Sequence, residues 1–384
     1  MRPERIAWAG LAAMTVSFGL NFTMGVFFAP TAADYGIDAA AMTVAATLGT
    51  TVTGLAQHPI GRLLDRVGAK AVLVGGLTLI SSSYLVLSVV DRTWEFIAAY
   101  MLLGGLGFAA SSTLTVTTLL GRVHGDQAGP ALSRAALGIN LGQLITPWAA
   151  TTLFDPIGVR PTYALLGAAG LAVTVFLALR LPTCPGTGRP AGGADSLAGR
   201  GKLLVVFGLH AATLYVVILM LPEHATELGW SVTDAGRLVA LAALSAGLSS
   251  AAMARLLRRH SPESLLCALY LVRVLALVLA TFVPGAGALV ATAVLFGAAS
   301  FPIVPLTMAV MSRGLDPARM GRTLAPAWIT HQLAAAAGLG AATVIHAQTD
   351  SYRGYFALGV LFSLACLALS TPSRTPRAEL VPAQ

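Results

Sequence analysis

Cut at every Asp, Glu, Lys and Arg, this chain falls into charge-free runs at 6–33, 39–61, 71–90, 96–121, 135–154, 161–179, 203–222, 238–254, 323–349 and 354–373. A further stretch, 264–312, is interrupted only by Arg273 and holds a Pro284-Gly285-Ala286-Gly287 turn, which makes room for two more such runs. A helix needs roughly 20 apolar residues to cross about 30 Å of hydrocarbon, and in lipid every backbone amide and carbonyl must find its partner within the fold. The pattern predicts an all-α integral membrane protein with twelve transmembrane helices. With 56% hydrophobic and 10% charged residues and a mean hydropathy of +0.78, a water-soluble enzyme is excluded.

Charge placement tests that count independently. With the N-terminus inside, alternate loops carry nineteen Lys and Arg, whereas the opposite side has four, Arg92, Arg160, Arg237 and Arg353. Excess Lys and Arg marks the cytoplasmic side, so both termini are expected in the cytoplasm of a multi-pass protein of the inner or plasma membrane. The net charge of +8 then reports topology and an anionic inner leaflet, and gives no reason to invoke nucleic acid. The first span is too long and lacks the small-residue cleavage site of a removed signal peptide. Cys184, Cys267 and Cys366 are too scattered for a disulfide framework or a metal cluster, and no cofactor or metal is expected.

The segment 182–202 combines Pro182, Pro185 and Pro190 with six glycines, a composition that suits a flexible linker and no helix. It divides the chain into a six-helix bundle at 1–181, the linker, a second six-helix bundle at 203–373 and a tail at 374–384. The halves match at an offset near 193 residues. Gly61-Arg62-Leu63-Leu64-Asp65-Arg66 falls on Ala254-Arg255-Leu256-Leu257-Arg258-Arg259, Asp34-Tyr35-Gly36 on Glu227-Leu228-Gly229, and Arg160 on Arg353. Two repeated bundles around a midplane cavity form the architecture of a transporter that alternates access by rocking one half against the other.

The run Gly61-Arg62-Leu63-Leu64-Asp65-Arg66-Val67-Gly68-Ala69-Lys70 between the second and third spans resembles the signature loop of the major facilitator superfamily. Gly61 and Gly68 would permit a tight turn there, and Asp65 can accept bonds from helix N-terminal amides or from Arg122. The resemblance implies that Asp65, with Arg66 and Arg122 nearby, latches one side shut. In the second copy Arg258 stands where the aspartate would be. A narrower similarity, to the bacterial monocarboxylate transporter-like and oxalate/formate antiporter-like branch, rests on Ser17 to Phe27 and on His331-Gln332 with Ser351-Tyr352. It implies a small organic anion as substrate and proton coupling. Carboxylate-moving members of that branch carry an arginine in span eight, and this chain has none between Arg237 and Arg255.

Arg273 sits near the middle of span nine, where an arginine costs roughly 2.5–3.5 kcal/mol and should have a partner. It is either a cationic anchor for an anionic substrate or a scaffold group bonded to helix carbonyls. His58, His210 and His331 fall within or at the ends of spans, while the runs themselves contain no carboxylate; if protons are coupled, His331, beside Gln332, is the expected carrier, the alternative being that these two only bond to neighbouring helices. Asn140-Leu141 aligns with Gln332-Leu333, which adds Asn140 as a counterpart. Spans one, four, seven and ten line the cavity in the superfamily and offer Asn21, Thr23, Ser111, Ser112, Thr113, His210, Tyr215 and Ser300, although Ser and Thr also serve helix packing. Pro302 and Pro305 remove backbone hydrogen bonds in mid-span, which marks span ten as a bending gate that must face protein or water.

Two transporter readings follow: a secondary transporter of a small organic solute, a monocarboxylate or other organic anion, or an efflux transporter of a moderately hydrophobic compound. The missing span-eight arginine and the lack of acids in the runs suit the second. An enzyme would need paired catalytic groups or metal ligands; HExxH is absent, and Gly104-Gly105-Leu106-Gly107 has neither a lysine nor a strand-to-helix context. Nothing in the architecture demands more than a monomer.

Overall fold

A computed structural model describes residues 3–124, 128–183, 197, 199–313 and 320–371. Most of the linker and the tail from 372 lie outside the described residues, as does Cys184.

Among the described residues there are twelve long helices and no strand. The first six are α1 (Pro3–Tyr35), α2 (Ala39–Val67), α3 (Ala69–Leu87), α4 (Thr93–His124), α5 (Ala128–Ile157) and α6 (Val159–Arg180). The second six are α7 (Gly201–Glu227), α8 (Val232–Leu256), α9 (Pro262–Phe282), α10 (Ala286–Met311), α11 (Met320–Thr349) and α12 (Arg353–Ser370). Ten are long and apolar enough to cross a membrane. The other two, α2 and α5, are 29 and 30 residues long. Their hydropathy is diluted by polar residues such as Thr47, Thr53 and Gln57 in α2 and Asn140, Gln143 and Thr151 in α5. Helix starts follow local chemistry: Asp38, Ser231 and Ser261 each accept a hydrogen bond from an amide in the first turn they cap, and Pro262 opens α9 where its missing N–H costs nothing.

The twofold pattern of the sequence is visible in packing. In the first half α1 lies along α5, α3 along α6 and α2 along α4; in the second, α7 lies along α11, α9 along α12 and α8 along α10. The halves meet along two seams that the internal repeat interchanges, α2 against α11 and α5 against α8, and also where α1 packs on α7. The matched turns after α1 and α7 carry the same device, since Gly36 and Gly229 both adopt positive φ, at 64° and 86°.

The expectation for Gly61 needs correction. Helix α2 continues through it to Val67, and the chain reverses at Gly68, whose φ of 91° and ψ of 157° suit glycine. Gly61 has no neighbouring atom within 4 Å of where a Cβ would be, so it leaves a smooth open face on the helix. Helix α10 likewise stays helical through Pro302 and Pro305, with Pro302 buried and Pro305 exposed. In α4 the residues Ala99–Gly105 form a π-helical segment and Ser112 breaks the helix with an extended ψ of −163°, features the sequence did not announce.

Apolar side chains gather differently at the two ends. At the end away from the termini one core runs through both halves, taking in Phe27, Tyr84 and Tyr163 together with Val216, Leu219 and Phe356. At the terminal end the cores are separate: Ile6, Leu64, Leu73 and Leu120 in the first half, and Tyr270, Ile303, Met311 and Leu324 in two clusters of the second. The molecule is therefore sealed between its halves at the far end, and among the described residues no shared apolar core seals the terminal end.

Candidate functional site

His210 is the tenth residue of α7 and Arg273 the twelfth of α9, so each lies about 15–18 Å along its helix at 1.5 Å per residue, close to mid-depth. His331, the twelfth residue of α11, reaches the same level. Arg273 is enclosed, with 0% of its surface exposed. Its Nη2 donates to the His210 carbonyl at 2.9 Å, its Nη1 lies 2.5 Å from His210 Nδ1, and its guanidinium carbon sits 5.0 Å from the centre of the Phe296 ring. Hydrogen bonds to a charged donor contribute about 1.5–3 kcal/mol each, enough to offset the insertion cost of the arginine. These contacts join α9 to α7.

Guanidinium nitrogens only donate, so Nδ1 of His210 accepts and the ring proton is on Nε2. That Nε2 points away from Arg273 and is buried without a hydrogen-bond partner among the described residues. His331 takes the opposite tautomer. Gln332 Oε1 only accepts, so Nδ1 of His331 donates to it at 3.3 Å, and its buried Nε2, without a partner among the described residues, is an acceptor. The two imidazole centres are 6.0 Å apart. Aromatic rings surround them: Phe207 stacks parallel to His210 and lies 4.3 Å from His331, Trp328 is 5.5 Å from His331, and Tyr215 is 6.0 Å from it. Tyr215 also meets Phe22 of α1 at 5.1 Å, which links the cluster to the Phe18 and Phe108 rings.

The structure thus brings together His210, Arg273, His331 and Gln332. It does not bring Asn21 or Asn140 to them. Asn21 lines a small pocket of α1 to α4 with Gly49, Tyr84, Tyr100 and the π-helical Gly104 and Gly105, roomy enough for about one water. Asn140 belongs to the α5–α8 seam, against Gly247. Thr23 and Ser111 give their hydroxyls to carbonyls four residues back, the packing role, and Ser111 also bonds Ser17. His58 is exposed and lies within α2, more than two turns before its end.

At the terminal end Arg122 donates to the Leu64 carbonyl at 3.1 Å, tying α4 to the last turn of α2. Arg66 is exposed, and the side chain of Asp65 lies outside the described residues. The second half has its own tie. Arg313 forms an ion pair with Glu263, the first-turn acid of α9, so the contact that Arg258 could not make is supplied from the other side of the same loop.

Sequence reasoning missed a cluster at the sealed end. Helix α7 continues past Pro222, so Glu223 and Glu227 are helical and Glu223 is buried, although the charge-free run stops just before it. Glu223 meets the Ala29 backbone of α1, while Glu227 pairs with His224 and with His346, the latter at 2.5 Å. Tyr352 stacks on His346; burial, then the nearby Glu223 and Glu227, push its hydroxyl well above the usual tyrosine range. The signal was present in the Glu223-His224 to Glu227 spacing, one helical turn apart.

Against this geometry, the family model of the Major Facilitator Superfamily matches residues 9–338 and again 203–383. The chain belongs to the Major Facilitator Superfamily. It is a multi-pass membrane transporter of that superfamily, and the second match, confined to the later helices, agrees with an internal repeat. An uncharacterized MFS-type transporter, YcxA of Bacillus subtilis, is 23% identical over 88% of this chain and 86% of its own length. Multidrug resistance protein MdtG of Dickeya zeae is 25% identical over 65% of this chain and 64% of that protein. Among solved structures, a POT family transporter in complex with a thioalcohol-conjugated peptide superposes with a TM-score of 0.76 at 14% identity, covering 96% of this chain and 95% of that one. A mutant of the nucleoside transporter NupG gives 0.74 at 13% identity, covering 95% and 98%. At these identities the structural likeness shows the fold.

Proposed function

We propose that this superfamily member is a secondary exporter of a moderately hydrophobic, aromatic small molecule, acting as a monomer by alternating access. The observation that carries the reading is the state of Arg273. Nη1 and Nη2 are engaged by His210, Nε is buried and without a partner among the described residues, and none of the side chain is exposed, so the centre of the bundle presents aromatic rings and uncharged polar atoms rather than an accessible cation. Such a surface favours flat apolar compounds over carboxylates, which need a paired positive charge when desolvated. Relatives named as multidrug resistance proteins agree with it. The Lys and Arg asymmetry places the termini in the cytoplasm, so the unsealed end would take up its cargo from the cell interior. His331 is the group through which a proton would be coupled.

A second reading, import of an organic anion, requires Arg273 to leave His210 during the cycle. Proteoliposomes decide between the two. Saturable movement of a lipophilic dye such as rhodamine 6G, unaffected by lactate, pyruvate, formate or oxalate, is the expected result. Saturable carboxylate uptake that rises with an inward-acid gradient, with no dye movement, would overturn it.

A further inference from the structure

Resting on that reading, we propose that Arg273 is a positioning residue that never touches the substrate: it holds His210 with its proton on Nε2, and that N–H is the donor by which the centre of the bundle selects aromatic compounds carrying an uncharged oxygen acceptor.

The argument begins with what each atom can do. An imidazole that offers one nitrogen to a guanidinium must accept there, and in the neutral ring the other nitrogen then carries the hydrogen. Arg273 reaches both the Nδ1 and the carbonyl of His210, so it fixes the ring's rotation as well as its tautomer. Nδ1 faces Arg273 of α9, so Nε2, across Cε1 from it, is turned to a different direction; the His331 ring lies 6.0 Å from the His210 ring. His210 is 1% exposed and its Nε2 has no partner among the described residues. A buried donor left unpaired is costly, and a fold that keeps one in place of an apolar side chain gains only if something else accepts from it. Phe207, its ring parallel to the imidazole with 6.4 Å between centres, adds a flat apolar surface beside it. The acceptor best matched is a carbonyl or ether oxygen on an aromatic ring system. A carboxylate would bring a charge that Arg273, already engaged, does not answer. His331 adds an unpartnered nitrogen nearby, which widens the polar edge without adding charge.

The test uses the full chain in lipid nanodiscs with two readouts. Nitrogen-15 magnetic resonance of labelled histidine, with the His210 signal assigned by its loss in His210→Asn, reports the tautomer. Binding of tritiated 9-fluorenone, competed by unlabelled fluorene of the same shape without the carbonyl, reports selection. We expect the Nε2-protonated ring in the parent protein, a mixture of tautomers in Arg273→Gln, and restoration in Arg273→Lys. We also expect a preference for fluorenone over fluorene of about tenfold, the worth of one hydrogen bond in a desolvated site, lost in His210→Phe and Arg273→Gln with fluorene binding unchanged. A scaffold role alone would move stability and leave both readouts alone. If Arg273→Gln does not fold, Arg273→Lys and His210→Phe carry the comparison. A proton on Nδ1 in the parent, a tautomer indifferent to Arg273, or a carbonyl preference that survives His210→Phe would overturn the proposal. Failure of both probes to bind would instead reject the aromatic-substrate reading and the selection step, while the tautomer signal still judges the role of Arg273.

Discussion

Gly54 of α2 and Gln332 of α11 approach so closely that a Cβ on Gly54 would lie 2.9 Å from the Cβ of Gln332, and 193 residues later Gly247 of α8 faces Asn140 of α5 across the other seam, where an added Cβ would sit at an ordinary contact distance of 3.8 Å. One device, a glycine on one helix against an amide on the opposing half, thus serves both seams, tightly on one side and loosely on the other. Gly54→Ala should strain the tight seam by about 1–3 kcal/mol, the usual cost of overpacking, and slow transport of the dye, while Gly247→Ala should transport like the parent. Initial transport rates in proteoliposomes check this. Equal behaviour of the two variants would contradict the asymmetry.

Within the first half the same kind of contact is tighter still. A Cβ on Gly142 would meet the Thr15 carbonyl oxygen at 2.3 Å and the Gly19 nitrogen at 2.7 Å, and backbone atoms cannot turn aside. Gly142→Ala should therefore lower the thermal midpoint. Gly121→Ala, with nothing within 4 Å, should leave it unchanged or raise it slightly, because alanine favours a helix by about 1 kcal/mol over glycine. Melting curves in detergent compare the pair.

Arg122 ties α4 to the end of α2 at the terminal end, where the cycle must open and close the cleft. Arg122→Gln and Asp65→Asn should each reduce turnover by about tenfold, the equivalent of 1.4 kcal/mol, with substrate affinity within about twofold. Equal losses of affinity and rate would show that these residues act on binding.

The Arg313–Glu263 pair of the second half should matter less. The arginine side chain is 54% exposed, and exposed ion pairs contribute about 0–1 kcal/mol. Glu263→Gln should shift stability by less than about 1 kcal/mol, and the difference should vanish at high salt. A large, salt-independent loss would indicate that the pair is part of the closing contact.

How much of this was readable beforehand depends on the kind of force involved. Transfer of apolar residues from water is additive along the chain, so the charge-free runs located all twelve helices, including α2 and α5, whose polar seam residues weaken their hydropathy. The superfamily loop was legible because its residues are contiguous. Arg273 and His331 stood out because polarity in a lipid span is expensive. Their partnership with His210 did not, since it joins α7, α9 and α11 through the third dimension. Gly54 and Gly247 carried no local signal, as glycine is common in membrane helices and only the facing amides give these two a meaning. Gly61 was misread for a related reason: a glycine beside a loop suggests a turn, and helical hydrogen bonding of the neighbouring residues prevailed. Glu223 escaped because a run cut at every charge ends one residue before it, while the helix does not.

The merged core at the far end has a consequence for how such a protein can change over generations. There Phe27 of one half and Phe356 of the other belong to a single packed body, so a volume altered in one repeat must be answered in the other. The separate cores at the terminal end impose no such bargain: each repeat can be remodelled there by itself, as Arg258, standing where the other repeat has Asp65, already illustrates. Duplicated halves of this kind should drift apart fastest at the mouth that holds the termini and remain in step at the seal.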